Sequence, residues 1–474
     1  MKRFFGKWLI LVSAIVLAVC GAAAGEAGNG NGPDAAFDAG NLTLVETATA
    51  SRKPAWYDIE ITDGMRAFIA RNGGAEDPEA LLAEKAPEWE SVLVSASPAG
   101  CSGIVYSESF GNSMAMALYN GKYRIIYPRV DENAEETAEG VFGFWMTFMS
   151  RLDSIIGDQA VLYSPDGRYA VIPNTYGMMT FAGALIDLST GEMFSFVEPA
   201  YENSGLGIGV AFSRDSRYLY YVLGGLFIYR YELDTGMQTL CTTIDPHIGR
   251  PVLAELADGS LLMADRDLVK IAAETEDGWI FTDYKPDWPS GLLPGTVEYS
   301  PGTGMICQTG RVPNNSFDMN IVFRINLQGE NLDDRDVFYC ISREPHEVVT
   351  LSPDELQAAF EAATVEAKNA KGRTVTRFVP NLLPYEFIEK ILFSPDGRYM
   401  LLKTIAYGDP AKDDARGTKL FLIRLSDMAI REITGLDAAQ ICYSRYLPAR
   451  IEWNTEELLI STEDGIRSFV LSAE

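Results

Sequence analysis

The sequence predicts an all-β chain folded as a β-propeller, and three observations predict it. The first is an internal repeat. Tyr163-Ser-Pro-Asp-Gly-Arg-Tyr169 returns as Phe393-Ser-Pro-Asp-Gly-Arg-Tyr399, with worn copies at Phe212-Ser-Arg-Asp-Ser-Arg-Tyr218 and Tyr299-Ser-Pro-Gly302. The second is the period. Aligned on the residue before Ser, the anchors are Ala96, Tyr163, Phe212, Glu255, Tyr299, Phe393 and Trp453, with central intervals of 49, 43 and 44 residues. Repeats of roughly 40–50 residues mark propeller blades. The third is the content of each period: four strand-length apolar runs, the makings of a four-stranded antiparallel blade. Seven anchors predict seven blades.

The elements follow in chain order. Residues 1–20 read as a targeting signal, with Lys2, Arg3 and Lys7 ahead of an apolar run over 8–19 broken only by Ser13. That run is short for a bilayer span and right for a signal-peptide core. Two endings compete. Leu17-Ala18-Val19-Cys20 is similar to a bacterial lipobox and makes Cys20 a lipidation candidate, although Val19 stands where that pattern prefers Gly, Ala or Ser. Ala22-Ala23-Ala24 is an A-x-A site for ordinary secretion. An uncleaved anchor is the third reading. Residues 21–41, rich in Gly, Ala and Asn, read as a flexible tether. Residues 42–91 hold N-terminal strand candidates at 42–46 and 57–62, the latter turned at Asp63-Gly64, and a short helix from Asp77-Pro78 to before Pro87.

Residues 92–474 are the propeller. In the Tyr163 unit, strands are expected at 160–163, 169–172, 183–188 and 193–197. Ser-Pro-Asp-Gly turns the first into the second: Pro presets φ, Asp bonds its own backbone and Gly takes positive φ. Asp187-Leu-Ser-Thr-Gly191 turns the third into the fourth, and Leu233-Asp-Thr-Gly236 repeats that turn in the Phe212 unit. The Phe393 unit follows the same plan at 399–404, 419–425 and 429–433. The last unit has strands at 457–461 and 466–471 and lacks a fourth. An N-terminal strand is expected to supply it and remove an exposed edge.

Two helical insertions interrupt the rhythm. The one near 137–156 contains Val141-Phe-Gly-Phe-Trp-Met-Thr-Phe-Met149, apolar on nearly every side. Such a helix must be covered. Either it packs on the rim, or Phe142, Phe144, Trp145 and Phe148 dock a partner. The insertion at 352–371 carries a capping box, with Ser352 at N-cap, Pro353 at N1 and Glu355 at N3, a Leu351–Leu356 staple, and Gly372 to end a helix reaching about Ala370.

The repeated phrase, followed each time by an apolar strand, resembles that of TolB-like propellers, of the WD-repeat-like kind. The same phrase occurs in propeller domains of prolyl-oligopeptidase-type peptidases. The resemblance covers roughly Val92 onward. It implies a propeller in which the Asp and Gly of the phrase are turn residues, so it transfers no catalytic residue. Peptidases of that kind add a G-x-S-x-G elbow. Here the nearest string, Gly111-Asn-Ser113-Met-Ala115, ends in Ala.

Composition narrows the function classes. Hydrophobic residues are 47% of the 474, charged residues 22%, and the net charge is −27. An acidic surface repels phosphate backbones, so no nucleic-acid partner is expected. Contact with a membrane is expected only through a lipid on Cys20. The other five cysteines, Cys101, Cys241, Cys307, Cys340 and Cys442, have no C-x-x-C spacing, which leaves small buried strand residues or one bridge of unassigned pairing. The only histidines, His247 and His346, fall in loops. Acidic runs at 131–139, 330–336 and 409–414 lack the ligand spacing of a calcium loop. Asn41-Leu-Thr43 and Asn314-Asn-Ser316 fit a glycosylation sequon that an exported bacterial protein does not use. No cofactor, metal or catalytic residue is assigned.

The leading expectation is a non-catalytic, exported module that binds an envelope protein or small ligand, on the cell surface as a lipoprotein or secreted. One alternative is a propeller hydrolase or lyase with its site at the channel mouth. The other is an envelope scaffold docking through 137–156.

Overall fold

The computed structural model describes residues 37–38, 42–49, 59–71, 90–97, 102–109, 112–129, 161–173, 183–195, 208–244, 252–265, 268–284, 293–300, 305–311, 318–326, 337–341, 348–352, four positions within 354–361, 364–368, 371–378, 386–394, 396–409, 414–434, 451–454, 457–462 and 465–473. Strand β1 (Leu42–Thr49) and helix α1 (Asp63–Arg71) come first. A four-stranded antiparallel sheet follows: β2 (Glu90–Ala96), β3 (Ser102–Ser109), β4 (Asn112–Tyr119) and β5 (Lys122–Ile125). β6 (Tyr127–Pro128) then crosses to the second sheet and pairs in parallel with its outer strand. That sheet runs β7 (Leu162–Tyr163), β8 (Tyr169–Pro173), β9 (Gly183–Asp187) and β10 (Glu192–Ser195). The third runs β11 (Ile208–Phe212), β12 (Tyr218–Leu223), β13 (Phe227–Glu232) and β14 (Gln238–Thr243). The fourth runs β15 (Val252–Glu255), β16 (Leu261–Ala264), β17 (Val269–Thr275) and β18 (Gly278–Tyr284).

The remaining strands join a 13-stranded network. It holds β19 (Leu293–Ser300), β20 (Met305–Arg311), β21 (Asp318–Asn326), β22 (Val337–Ile341) and β23 (Val348–Leu351) in one antiparallel group. After a separate hairpin of β24 (Thr364–Lys368) and β25 (Thr374–Phe378) comes a second group: β26 (Glu386–Phe393), β27 (Tyr399–Asp409), β28 (Asp414–Arg424) and β29 (Ala429–Thr434). The last holds β30 (Ile451–Asn454), β31 (Glu457–Thr462) and β32 (Gly465–Ala473), completed by β1. Of the two N-terminal strand candidates it is thus 42–46 that joins the last group, pairing antiparallel with β32 from Leu42↔Ala473 to Thr49↔Arg467. Pairing of β21 with β26 and of β1 with β29 fuses these groups into one network, where the sequence predicts separate sheets.

First strands meet first strands: β11 lies against β15, β15 against β19, and β19 against β26. The sheets therefore stack in sequence order around their first strands, which is propeller architecture. Stacking explains the apolar runs, because an inner strand is buried on both faces and reads as nearly continuous hydrophobics. In β8, Ala170 and Ile172 face the first sheet while Tyr169 and Val171 face the third. In β12, Leu219, Tyr221 and Leu223 face the second sheet; Tyr220 and Val222 face the fourth. In β27, Met400 and Leu402 face the group before it; Tyr399 and Leu401 pack with β1 and the last group. These core layers thus lie between two sheets.

Three segments depart from expectation. Asp63-Gly64 opens α1 rather than a hairpin turn. Thr62 acts as N-cap, its Oγ1 accepting the Met65 N–H at 3.3 Å. Met65 and Phe68, one turn apart, are buried against Met116, Ile125 and Tyr127. The capping box at Ser352 forms, with Ser352 N–H donating to Glu355 Oε2 at 2.8 Å and Glu355 N–H donating to Ser352 Oγ at 3.3 Å. The helix is shorter than expected, because Thr364–Lys368 is a strand paired with Thr374–Phe378 and Gly372, at φ 70°, sits in their turn. Val365 and Thr364 are β-branched, a local preference the capping signal outranked in the sequence. Finally Phe37, inside the expected tether, is fully buried. The expected helices at 77–86 and 137–156 lie outside the described residues.

Candidate functional site

The recurring phrase builds its own turn. In the Tyr163 copy, the Ser164 hydroxyl donates to Asp166 Oδ1 at 2.5 Å and accepts the Tyr169 N–H at 2.9 Å. Asp166 Oδ1 also accepts the Arg168 N–H at 3.0 Å, and Gly167 at φ 72° donates to the Ser164 carbonyl at 2.8 Å. The Ser394–Asp396–Tyr399 copy repeats each contact. In the third copy Ser216 replaces Gly and still holds φ 58°. The Ser213 hydroxyl, 2.6 Å from Asp215, holds that carboxyl below its ordinary range. The Tyr299 copy has lost its Asp, and among the described residues the buried Ser300 hydroxyl has no partner. The phrase is thus a self-satisfied polar turn, and its carboxylate is spent on backbone and hydroxyl donors.

The same turns link neighbouring sheets. Ser216 Oγ accepts the Asp166 N–H at 3.1 Å, and Glu255 Oε2 accepts the Arg214 N–H at 2.6 Å. Arg168 reaches Asp187 at 3.0 Å in its own sheet and Asp234 at 3.2 Å in the next, with its guanidinium over the Tyr169 ring at 4.7 Å.

The wall between the third and fourth sheets carries a different chemistry. Lys270, in the apolar run of β17, is fully buried and donates to Asp283 Oδ1 of β18 at 2.7 Å, with its ammonium 5.8 Å from the Phe281 ring centre. A buried ammonium needs such a partner. Across the wall, Arg230 lies over the Tyr218 ring at 5.0 Å and pairs with Glu274 at 3.3 Å. Burial pushes the Cys241 thiol up to about 11, keeping it protonated and unreactive at neutral pH. Outside this wall, β18 ends the fourth sheet among the described residues. Ile280 is 59% exposed on it.

Among the sequence-predicted residues, Cys20, Phe142, Phe144, Trp145, Phe148, His247 and His346 all lie outside the described residues. Cys241 and Cys307 lie in β14 and β20, the first half-buried and the second buried. Asp409 and Asp414 face each other as strand partners. Among the described residues, no group of three or more His, Cys, Asp or Glu is placed to hold a metal ion, and no helix is long and apolar enough to cross a membrane. The Lys270–Asp283 pair was missed in the sequence. Its signal is a lone Lys within Leu268–Ala273 and an acid 13 residues later across a Glu-Asp-Gly turn.

No protein-family model matches the chain, and no curated protein matches it. Solved structures share similarity at low identity. A chain of the mitotic checkpoint complex is 12% identical, with 66% of this chain and 88% of that one covered and a TM-score of 0.35. An oligogalacturonate lyase in complex with manganese is 13% identical, with 66% and 88% covered and a TM-score of 0.36. The β-propeller domain of Cps50 (Swd1) from Myceliophteria thermophila is 12% identical, with 67% and 97% covered and a TM-score of 0.30. The architecture described above rests on strand pairing within this chain.

Proposed function

We propose that the chain is an exported, TolB-like propeller of seven blades that binds a protein or small ligand at the cell envelope without chemistry of its own. The observation that carries this reading is the completion of the last strand group by the N-terminal strand β1, which ties the two ends of the chain together. β32 runs alongside β2, so the last group also neighbours the first sheet. Strand groups joined in this way make a platform whose loops are free to specialise for binding. The turn phrase supports the same reading, since its polar groups are consumed in holding turns. Export rests on the signal segment over 1–20, and anchoring on Cys20.

Three measurements test the proposal. Palmitate labelling of the full chain in a bacterial host is lost in Cys20→Ser; equal labelling overturns the anchor. Class averages viewed down the axis show seven blades, and another number overturns the count. Purified protein turns over nothing in glycan, lactone and peptide panels; measurable turnover overturns the non-catalytic reading.

A further inference from the structure

The outer edges of the sheets are treated unequally. On the first sheet, Ile59 bridges in parallel to Tyr123, and Glu60 N–H donates to the Tyr123 carbonyl at 2.7 Å. On the second, β6 covers β10. On the β26–β29 group, Leu42 and Thr43 of β1 cover β29. β14 is uncovered among the described residues, but Cys241 is an extra residue in its ladder, since Ile228 pairs with Thr242 while Tyr229 pairs with Leu240. Such a bulge disrupts an edge as a template for further pairing.

β18 has neither device. Among the described residues it ends the fourth sheet, and its register with β17 runs unbroken from Val269↔Tyr284 to Thr275↔Gly278. It contains no Pro and no Lys. Trp279 and Phe281 turn inward to the wall with the third sheet, while Ile280 is exposed on the other face. Exposed Glu276 and Asp277 stand in the turn before the strand, while Asp283 near its far end is already paired with Lys270. An edge uncovered among the described residues, with an apolar centre and an acidic end, complements an extended, cationic segment. A second copy of this chain fits poorly, because it brings a charge of −27 to the same edge.

We propose that the outer edge of β18 is a strand-addition site for an extended cationic segment of another protein, with an apolar residue set against Ile280 and basic residues toward Glu276 and Asp277. The recognition uses backbone hydrogen bonds for affinity and alternate side chains for selection. It is independent of where the chain resides and of what the ring's loops bind.

The test uses the full chain and a fluorescent nine-residue peptide alternating Lys with Val and Thr, read by anisotropy. The expected result is saturable binding that Ile280→Lys weakens at least about tenfold. Glu276→Lys with Asp277→Lys, which leaves the apolar strand intact, is expected to weaken it similarly. N-methylation of alternate peptide nitrogens, which deletes backbone donors and keeps charge, is expected to abolish it. Equal binding of the methylated peptide, or undiminished binding by folded Ile280→Lys protein, overturns strand addition. Absence of binding to wild type overturns the site. A concentration-dependent dimer that Ile280→Lys converts to monomer overturns the cationic segment as the occupant in favour of a second copy.

Discussion

The second and fourth sheets share one four-strand plan and differ at their outer edges. β10 of the second sheet is covered by β6, held by Tyr127 N–H to the Gly191 carbonyl at 3.0 Å and Arg129 N–H to the Met193 carbonyl at 2.8 Å. Arg129 then clamps the cover, pairing with Glu192 at 2.9 Å and lying over the Phe194 ring at 4.1 Å. β18 of the fourth sheet has no such cover among the described residues, and its cross-strand interaction faces inward through Lys270 and Asp283. The difference teaches where edge protection comes from. Short parallel covers come from 59–60 and 127–128, which lie outside the four-strand plan, and from 42–43 at the start of β1, which also completes the last group. The repeat itself supplies none.

If covers fasten the fold, breaking one should cost more than disturbing the bare edge. Phe37→Ala is the strongest break. Phe37 is fully buried 5.8 Å from Tyr399, between Arg424 at 4.6 Å and Arg431 at 5.2 Å, and leads into β1. Its loss is expected to cost about 4 kcal/mol in urea unfolding. A cost below about 1 kcal/mol means that this segment does not fasten the last group. Next comes Gly191→Ala at the β6 crossing. Gly191 is at φ 82°, and an added Cβ meets the Ile125 carbonyl oxygen at 2.4 Å. Strain and backbone overlap together are expected to cost about 3 kcal/mol. Wild-type melting behaviour in that variant breaks the claim that β6 is tightly seated.

How much of this was legible depends on whether local chemistry named its partner. Ser164, Asp166 and Tyr169 satisfy one another within six residues, so the turn and the repeat were readable. A closing N-terminal strand was readable because the last unit lacked one, but the sequence left 42–46 and 57–62 as alternatives and only the pairing with β32 selects the first. The covers were not. Ile59 pairs with Tyr123 and Tyr127 with Glu192, each far away in sequence, and such short parallel pairing leaves no periodicity. Asp63-Gly64 was misread because that dipeptide is a hairpin signal, and the cap that overrides it is a single hydroxyl, Thr62. For the site, the Lys270–Asp283 pair was missed although a lone Lys in an apolar run signals it, and nothing local says that β18 is the strand left without a cover among the described residues.

A substitution at the bare edge sharpens the comparison. Asp283→Asn removes the carboxylate 2.7 Å from a fully buried ammonium. Because Asp283 is partly open to water, the expected cost is about 2 kcal/mol, below that of a fully buried pair. Lys270→Met removes the charge together with its need for a partner and is expected to change stability by less than about 1 kcal/mol. Equal losses in the two variants show that packing of the Lys270 stem, rather than the ion pair, holds β18 to β17.

The smallest effect separates the covered edge from the wall by pH. Burial pushes the Tyr127 phenol, under α1, up to about 12, and burial does the same to Tyr220 on the wall. The ordinary value is 10.0. A phenol whose folded value is raised favours the folded state while it is protonated. That contribution is complete below pH 10 and is lost as pH rises toward 12, because the unfolded chain releases its proton first. Each tyrosine therefore accounts for about 1 kcal/mol of the stability lost between those limits, after allowance for solvent screening. Denaturant midpoints across that range should fall less steeply in Tyr127→Phe and in Tyr220→Phe than in wild type, by similar amounts. A Tyr127→Phe profile that tracks wild type shows water reaching the phenol, and with it that the cover over the second sheet opens readily while the wall stays shut.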